Sequence, residues 1–369
     1  MKQGHPQAML IVCTHHRRGS IARHNPFADE IISLSKSPIS QARLLFRFWK
    51  KKPDLIVALR VNEEAVPLGY LLNRSVFVGA IERCQPFQFL LSHPVITKDE
   101  SHIVEETLKV ALVAGGANVD RGMVYQVHHD EQIALCKKHP DLINKPYVVF
   151  QTGGGKTMAW RDWPPASYIE AIKWMKLHYP HHVILTGGHD NEAAGRAIAE
   201  ACPWVTNLVE KTTLEETAVL LHGASMLVSS DTGVMHLGFA IGCPTLAILH
   251  YRSPEKIYGP LDYSPGHEII ELPLPVSQTF ASGNNGFSQY PQPQDLFSKN
   301  LDIKQTPPAF KDHLENKLIQ KFITSNCEGQ ASLLRSHDNE MKNIPQSKVH
   351  AAIARILART RVECGKNFS

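Results

Sequence analysis

The sequence predicts an α/β protein with two doubly wound, Rossmann-like domains. Between residues 147 and 272, short apolar runs that resemble buried parallel strands alternate with amphipathic segments of helical spacing. A weaker version of the same alternation precedes them, up to about residue 144. Alternation at this spacing is typical of parallel sheets, which bind ligands at the carboxyl ends of their strands.

The second domain, residues 145–275, carries the clearer pattern. Its strands are predicted at 147–150, 182–185, 226–228, 245–249 and 268–270, and its helices at 166–178, 191–201, 214–222 and 232–241. Thr213 and Glu216 have the spacing of a capping box at the start of the third helix. Pro164 or Pro165 is placed to start the first one.

The remaining segments are less regular. In the first domain, residues 1–144, strands are predicted at 9–12, 54–59 and 75–79 and helices at 40–51 and 103–114. Residues 276–340 are a polar insertion, rich in Ser, Asn, Gln, Pro and Gly over its first half, and are expected to be partly disordered apart from a helix at 308–323. Residues 341–369 hold a last amphipathic helix, at 347–361.

Composition narrows the function classes. The formal charge of +4 is too small for a dedicated nucleic-acid-binding protein, although it suits an anionic substrate or membrane surface. The seven cysteines are scattered and form no C-x-x-C pair, which argues against a disulfide framework and a zinc site. Neither a signal peptide nor an apolar run of membrane-spanning length is recognisable. We therefore expect a cytoplasmic protein.

The basic, aromatic run at residues 43–52 has two interpretations. It could press on anionic lipid, with aromatic side chains at the interface and cations on the headgroups. The favoured interpretation is a helix packed on its sheet with its apolar face inward.

The segment Ser229-Ser230-Asp231-Thr232-Gly233-Val234-Met235-His236 is the strongest functional signal. It follows an apolar strand and opens a helix, where unpaired backbone N–H groups and the helix dipole favour an anion. Gly233 lets a ligand approach the backbone. The alternative is that Asp231 is only an N-cap residue.

Two glycine-rich turns follow neighbouring predicted strands. Gly153-Gly154-Gly155-Lys156-Thr157 is not a P-loop, because Phe150 occupies the position of the first required glycine. Gly187-Gly188-His189-Asp190 forms the second turn, in which Asp190 is also a candidate N-cap. Each could admit phosphate or sugar, or be a plain tight turn. Arg161, just beyond the first turn, could donate two hydrogen bonds to a diphosphate or form a surface ion pair.

With these elements in order, residues 147–272 resemble the heptosyltransferase family of glycosyltransferases, the ADP-heptose:lipopolysaccharide heptosyltransferases and their relatives. The match is carried by residues 227–237, continues through Ala240-Ile241-Gly242-Cys243-Pro244-Thr245, and extends to Tyr258-Gly259-Pro260 and Met341-Lys342-Asn343-Ile344-Pro345. It is strong over about a third of the chain.

The resemblance implies a GT-B-like fold, in which the two doubly wound domains face a cleft. It also implies a glycosyltransferase that inverts the anomeric carbon without a metal or cofactor. Its donor would be a nucleotide-diphospho-sugar such as ADP-heptose, and its acceptor a lipid-linked oligosaccharide of a lipopolysaccharide core or related glycan at the inner membrane. The resemblance places donor sugar and diphosphate at Asp231, Thr232, Gly233, His236, Arg161, Gly153 and Gly154, and the nucleotide at Gly188, His189 and Thr212. Arg161 stands where the family has a Lys.

Family members also open with a strand and a glycine-containing loop whose Asp is the general base. This chain begins at what resembles the second strand, at residues 5–12, so we expect an incomplete N-terminal domain and assign no catalytic residue. A start site placed too late and a degraded gene are the favoured explanations; the third is a recruited base. A nucleotide-sugar-binding remnant is therefore the alternative function, and an epimerase a weaker one because no dinucleotide fingerprint is present.

Overall fold

Parallel sheets organise the residues that the computed structural model describes, which are 1–2, 4–59, 65–81, 87–97, 101–117, 121–140, 145–260, 266–273 and 340–364. Met1–Leu272 and Asn339–Ser369 form one compact unit, and Pro273–Asp338 form a second. Apart from Pro273, that second unit lies outside the described residues, and so do the predicted polar insertion and its helix at 308–323. The predicted domain boundaries stay predictions.

The N-terminal half contains two small parallel sheets. Strands β1 (Ile11–His15) and β2 (Glu30–Leu34) form one, and β3 (Ile56–Ala58), β4 (Phe77–Ile81) and β5 (His93–Ile96) form the other. The helices are α1 (Gly19–Arg23), α2 (Pro38–Arg47), α3 (Ala65–Leu72), α4 (Ile103–Val113) and α5 (His129–Lys138). The predicted strands are confirmed with shifted bounds, whereas β2 and β5 were not foreseen.

In the described part of the C-terminal half, the strands form one six-stranded parallel sheet. Its strands are β6 (Tyr147–Gln151), β7 (His182–Thr186), β8 (Thr206–Asn207), β9 (Met226–Ser230), β10 (Thr245–Leu249) and β11 (Glu268–Glu271). The helices are α6 (Pro165–His178), α7 (Glu192–Ala201), α8 (Leu214–Gly223), α9 (Gly233–Ile241), α10 (Glu255–Tyr258) and α11 (Gln346–Cys364). All five predicted strands and all four predicted helices of this half are confirmed. None of the described helices has the length and hydropathy needed to cross a bilayer.

The strand order β8-β7-β6-β9-β10-β11 is the 3-2-1-4-5-6 order of a doubly wound sheet. The chain leaves β6 towards β7 on one side and returns to β9 on the other. β6 and β9 are therefore neighbours at the point where the winding reverses. Ligands of such sheets bind outside the carboxyl ends of these two strands.

Both faces of this sheet are covered, which explains why its strands are continuous apolar runs. Val148 and Phe150 belong to a cluster that includes α6 and α11, while Tyr147 and Val149 pack on the other side with α8. Helix α11 adds Val349, Ala352, Ile353, Ile356 and Leu357, each at most 1% exposed. The C-terminal helix is therefore an integral part of the core.

The favoured interpretation of residues 43–52 is wrong for two of its five apolar side chains, Phe46 and Trp49. Helix α2 buries Leu44, but Phe46 is 83% exposed and Trp49, just beyond the helix, is 77% exposed. The segment has apolar residues on more than one face of the helix, so packing one face leaves the other in solvent.

We expect Ile353→Ala to lower the free energy of unfolding by about 2–5 kcal/mol, because it removes buried methylenes and leaves a cavity between α11 and the sheet. Urea unfolding followed by circular dichroism measures the change. The matched control is Lys348→Ala on an exposed position of α11, expected within about 0.5 kcal/mol of wild type. Equal effects of the two substitutions would show that α11 is not part of the core.

Candidate active site

The candidate site lies at the carboxyl ends of β6 and β9. Gln151 at the end of β6 is in register with Ser229 in β9. The glycine turn 153–155 therefore faces the segment that contains Asp231, Thr232 and Gly233. The sheet topology thus brings together two motifs that are more than 70 residues apart in sequence.

The first glycine turn has a geometry that requires glycine at one position. Gly153 has φ +139°, a conformation that L side chains rarely adopt. A Cβ atom there would lie 2.9 Å from both Asn191 Nδ2 and Asp162 Oδ2. The space at Gly153 is therefore filled by the protein, whereas a Cβ at Gly188 or Gly233 would meet nothing within 4 Å.

Asn191 connects the two glycine turns. Its Nδ2 donates to the carbonyl of Gly154 (2.9 Å), and its Oδ1 accepts from the backbone N–H of Gly188 (3.1 Å). The side chain is buried, at 6% exposure. A single amide thus sets the separation of the turns after β6 and β7. The sequence pattern predicted Asn191 only as the first residue of a helix.

Asp162 also holds the first glycine turn, through a hydrogen bond to Gly154. Its Oδ1 accepts from the backbone N–H of Gly154 (2.8 Å). Burial raises the pKa of this carboxyl to about 6, although the Gly154 hydrogen bond and the Arg161 guanidinium favour the ionised form and oppose the rise.

Two of the predicted site residues, Arg161 and Asp231, form an ion pair. Arg161 Nη1 lies 2.5 Å from Asp231 Oδ2, and the Asp231 side chain is only 4% exposed. The backbone N–H of Trp163 donates to Ser230 Oγ (3.0 Å), which fixes the segment that carries Arg161 against the end of β9. The two charges are therefore held together by the strand end on one side and by this anchored segment on the other.

The start of α9 shows that Asp231 is not its N-cap. The cap is Thr232, whose hydroxyl accepts from the backbone N–H of Met235 (3.3 Å). Asp190 likewise lies inside a short 3-10 helix, His189–Asn191, instead of capping α7. The buried carboxylate of Asp231 is therefore available to organise cations next to the helix terminus.

His236 is the second basic group at Asp231. Its Nε2 lies 3.8 Å from Asp231 Oδ1. Burial lowers the pKa of His236, and the Arg161 guanidinium adds to that effect, while the Asp231 carboxylate opposes it. The site therefore favours the neutral form of this imidazole.

A cavity of about 400 Å³ opens beside these groups, within the size range of small-molecule sites. Six predicted residues line it: Gly153, Gly154, Gly188, His189, Thr232 and Gly233. Leu214, Val234 and Leu237, with Ile21 from α1, supply an apolar part. Four other predicted site residues are not among the described residues that line the cavity: Arg161, Asp231, His236 and Thr212. Asp231 is, however, adjacent in sequence to Thr232, which does line it.

Thr212, the remaining predicted nucleotide contact, is close in sequence to this apolar part. The hydroxyl of Thr212 lies 3.1 Å from the hydroxyl of Thr217. Helix α8 begins two residues after Thr212, at Leu214, which lines the cavity. The predicted capping box is confirmed: the hydroxyl of Thr213 accepts from the N–H of Glu216 (3.1 Å), and the Glu216 carboxylate accepts from the N–H of Thr213 (2.9 Å).

His189, Glu210 and Glu192 place their ligand atoms within 4.8 Å of one another. All three side chains are exposed, an arrangement that is common without an ion. It supports no metal assignment.

His102 was not foreseen and connects the N-terminal half to this region. Its Nδ1 accepts from the backbone N–H of Val104 at the start of α4 (3.2 Å), so Nε2 carries the hydrogen and donates to the carbonyl of Gly259 (2.8 Å). The only sequence signal was its place immediately before a predicted helix.

Comparisons with known proteins identify the family of this chain. The family model described as glycosyltransferase family 9 (heptosyltransferase) matches residues 68–284, which is more than half of the chain. This chain belongs to glycosyltransferase family 9.

The similarity to individual proteins is partial. The family 9 chain is 28% identical over 135 residues to lipopolysaccharide heptosyltransferase 2 of Salmonella typhimurium, covering 35% of the chain and 38% of that relative. The match thus spans less than half the length of the curated relative.

Solved structures support the fold. A family 9 glycosyltransferase from Veillonella parvula has a TM-score of 0.63 at 15% identity, covering 79% of this chain and 84% of that one. The ADP-heptose lipopolysaccharide heptosyltransferase II of E. coli has a TM-score of 0.59 at 18% identity, covering 74% and 84%. The mixed α/β, GT-B-like fold predicted from the sequence is therefore confirmed.

For this family 9 chain we expect Asn191→Ala to lower the free energy of unfolding by about 1–3 kcal/mol, because Gly154 and Gly188 each lose a hydrogen-bond partner. Amide hydrogen exchange at residues 153–155 and 187–188 should accelerate. Arg196→Ala, on an exposed position of the same helix α7, is the control and should leave both readouts unchanged. If exchange in the two turns stayed at the wild-type rate, Asn191 would not hold them.

We expect Asp162→Asn to change the pH dependence of stability. The folded-state pKa of about 6 lies above the unfolded value of 3.8, so the folded state binds the proton more tightly and wild type loses stability as pH rises from about 4 to about 6. The amide does not titrate, so the stability of the variant relative to wild type should increase over that interval. Denaturant unfolding at several pH values measures the difference; a constant difference would contradict the raised pKa.

Proposed function

We propose that this protein is a glycosyltransferase that transfers a heptose or similar sugar from a nucleotide-diphospho-sugar to a lipopolysaccharide-core or related surface-glycan acceptor. Family membership supports the reaction class. The names of the relatives support the donor, since an E. coli structure of the same fold is called an ADP-heptose lipopolysaccharide heptosyltransferase. ADP-heptose is therefore the donor we propose to test first.

The observation that carries the proposal is the Arg161–Asp231 pair at the start of α9, beside the cavity. A diphosphate at this place would meet the guanidinium and the free backbone N–H groups of the first turn of α9, both of which favour negative charge. Asp231 would hold Arg161 in the orientation that this contact requires. Thr232 and Gly233 would bring the backbone to the phosphates, because the space above Gly233 is open.

We propose the following order for the remainder of the donor, along the cavity and the residues beside it. We place the sugar near Asp231 and His236 and the diphosphate also against Gly153 and Gly154. The nucleotide would extend past Gly188 and His189 towards Thr212, with its base against the apolar group that includes Leu214 and Ile21.

The proposed reaction is a single displacement with inversion. The acceptor hydroxyl oxygen forms a bond to the anomeric carbon as the bond from that carbon to the diphosphate oxygen breaks. The hydroxyl proton passes to a base that we leave unassigned, and the nucleoside diphosphate leaves with the bonding electrons. Arg161 and the N–H groups of α9 would stabilise the charge that grows on the diphosphate, a role that needs no metal ion.

The proposed setting is the cytoplasmic face of the inner membrane. The acceptor would be a lipid-linked oligosaccharide, so the enzyme would meet it at a lipid surface. Nucleic acid is not proposed as a partner, because the net charge of +4 is small for a chain of 369 residues.

We expect Arg161→Ala to weaken ADP-heptose binding about 10- to 100-fold, because it removes a charge-assisted contact to the diphosphate and leaves the buried Asp231 carboxylate unpaired. Asp231→Ala should also weaken binding, and Arg161→Lys should retain part of it, since charge is kept but the forked geometry is lost. Isothermal titration calorimetry measures the dissociation constants.

The control is Arg196→Ala, which removes an exposed arginine from α7. Unchanged ADP-heptose affinity in both site variants would refute the site. Donor binding with no sugar transfer to any lipopolysaccharide acceptor would instead support a nucleotide-sugar-binding protein without turnover.

A further inference from the structure

The segment from α2 to Lys52 has an exposed face of unusual composition. Ile39 is 65% exposed, Phe46 is 83% exposed and Trp49 is 77% exposed. Ile39 and Phe46 are seven residues apart and lie on one side of α2, with Arg43 between them, while Leu44 points into the protein. We call the exposed set Ile39, Arg43, Phe46, Trp49 and Lys50–Lys52 the α2 face. Large apolar side chains and cations are thus interleaved in solvent.

The charge of this region has one sign. Between residues 31 and 53 the sequence contains Lys36, Arg43, Arg47, Lys50, Lys51 and Lys52 and has no acidic residue. Arg47 is paired with Glu30. Arg43 and the three lysines of the α2 face have no ion-pair partner in the described part of the chain. Four cations therefore remain to attract an anionic surface.

Exposed apolar and cationic side chains on one helix and the segment that follows it are the combination that binds the interface of an anionic bilayer. The rings of Trp and Phe enter the headgroup boundary, while Lys and Arg remain at the phosphates. A soluble protein partner of matching acidic charge would not require aromatic side chains to be this exposed, and a second copy of the chain would oppose the α2 face with the same positive charge. Charge and chemistry together favour lipid.

We propose that the α2 face docks this protein on an anionic phospholipid bilayer, with Phe46 and Trp49 inserted and Arg43 and Lys50–Lys52 on the headgroups. The purpose of this docking rests on the proposed function, because a membrane-bound enzyme meets a lipid-linked acceptor at high local concentration. The docking itself needs neither donor nor acceptor.

The test is sedimentation of the full chain with vesicles of phosphatidylcholine containing 30% phosphatidylglycerol, compared with pure phosphatidylcholine vesicles. We expect binding to the anionic vesicles that is at least tenfold stronger, and that falls as salt rises from about 0.1 to 0.5 M. Phe46→Ala/Trp49→Ala and Lys50→Gln/Lys51→Gln/Lys52→Gln should each reduce binding at least tenfold. Brominated lipid should quench tryptophan fluorescence in wild type and quench it much less in Trp49→Phe.

The matched control is Lys173→Gln/Lys176→Gln/Leu177→Ala, which removes two exposed lysines and an 82% exposed leucine from α6. This variant should bind vesicles as wild type does. Circular dichroism confirms that each variant is folded.

Several outcomes would overturn the proposal. They are equal binding to both vesicle types, no binding, binding unaffected by the α2-face variants, or a dimer in lipid-free ultracentrifugation that the α2-face variants dissociate. Donor affinity, measured without lipid, separates this inference from the proposed function: the α2-face variants should retain it. If the wild-type protein did not bind the donor, the glycosyltransferase proposal would be refuted, but the vesicle result would still support membrane docking.

Discussion

The arrangement of the candidate site depends on the ion pair between Arg161 and Asp231. The Asp231 side chain is almost fully buried, and a buried carboxylate without a partner is strongly destabilising. The pair can form only because the segment after β6 and the end of β9 are neighbours, which the parallel pairing of these two strands ensures. The reversal of winding in the sheet therefore produces both a crevice and the charged pair beside it.

The surrounding contacts make this crevice rigid before any ligand binds. Asp162 and Asn191 fill the space next to Gly153 and hold the first glycine turn through hydrogen bonds to Gly154. Trp163 and Ser230 fix the chain on which Arg161 lies. Groups that are already oriented stabilise developing charge better than groups that must reorganise, so this rigidity suits transfer from a diphosphate donor.

Sequence patterns predicted the C-terminal half well, because β6, β7, β9 and β10 are buried on both faces and therefore continuously apolar. They predicted the N-terminal half less well. Strands β1, β2 and β5 are partly exposed, and β5 contains Pro94 at a sheet edge, where periodicity is weak. The exposed face of α2 was misassigned because the helix carries apolar residues on two sides, and periodicity alone does not say which side packs.

The candidate site was foreseen as a set of motifs, but its connections were not. Asn191 and His102 act through hydrogen bonds to backbone atoms distant in sequence, and no local pattern encodes such partners. The role of Asp231 as partner of Arg161, in place of an N-cap, likewise needed the distance between them.

The most direct test of the central claim is a crystal structure of this chain with ADP-heptose or, if turnover intervenes, a non-transferable ADP-sugar. The account predicts diphosphate oxygens within hydrogen-bond distance of the Arg161 guanidinium and of backbone N–H groups at the start of α9, with Arg161 still paired to Asp231. A diphosphate bound elsewhere, or one that leaves the crevice between β6 and β9 empty, would contradict it.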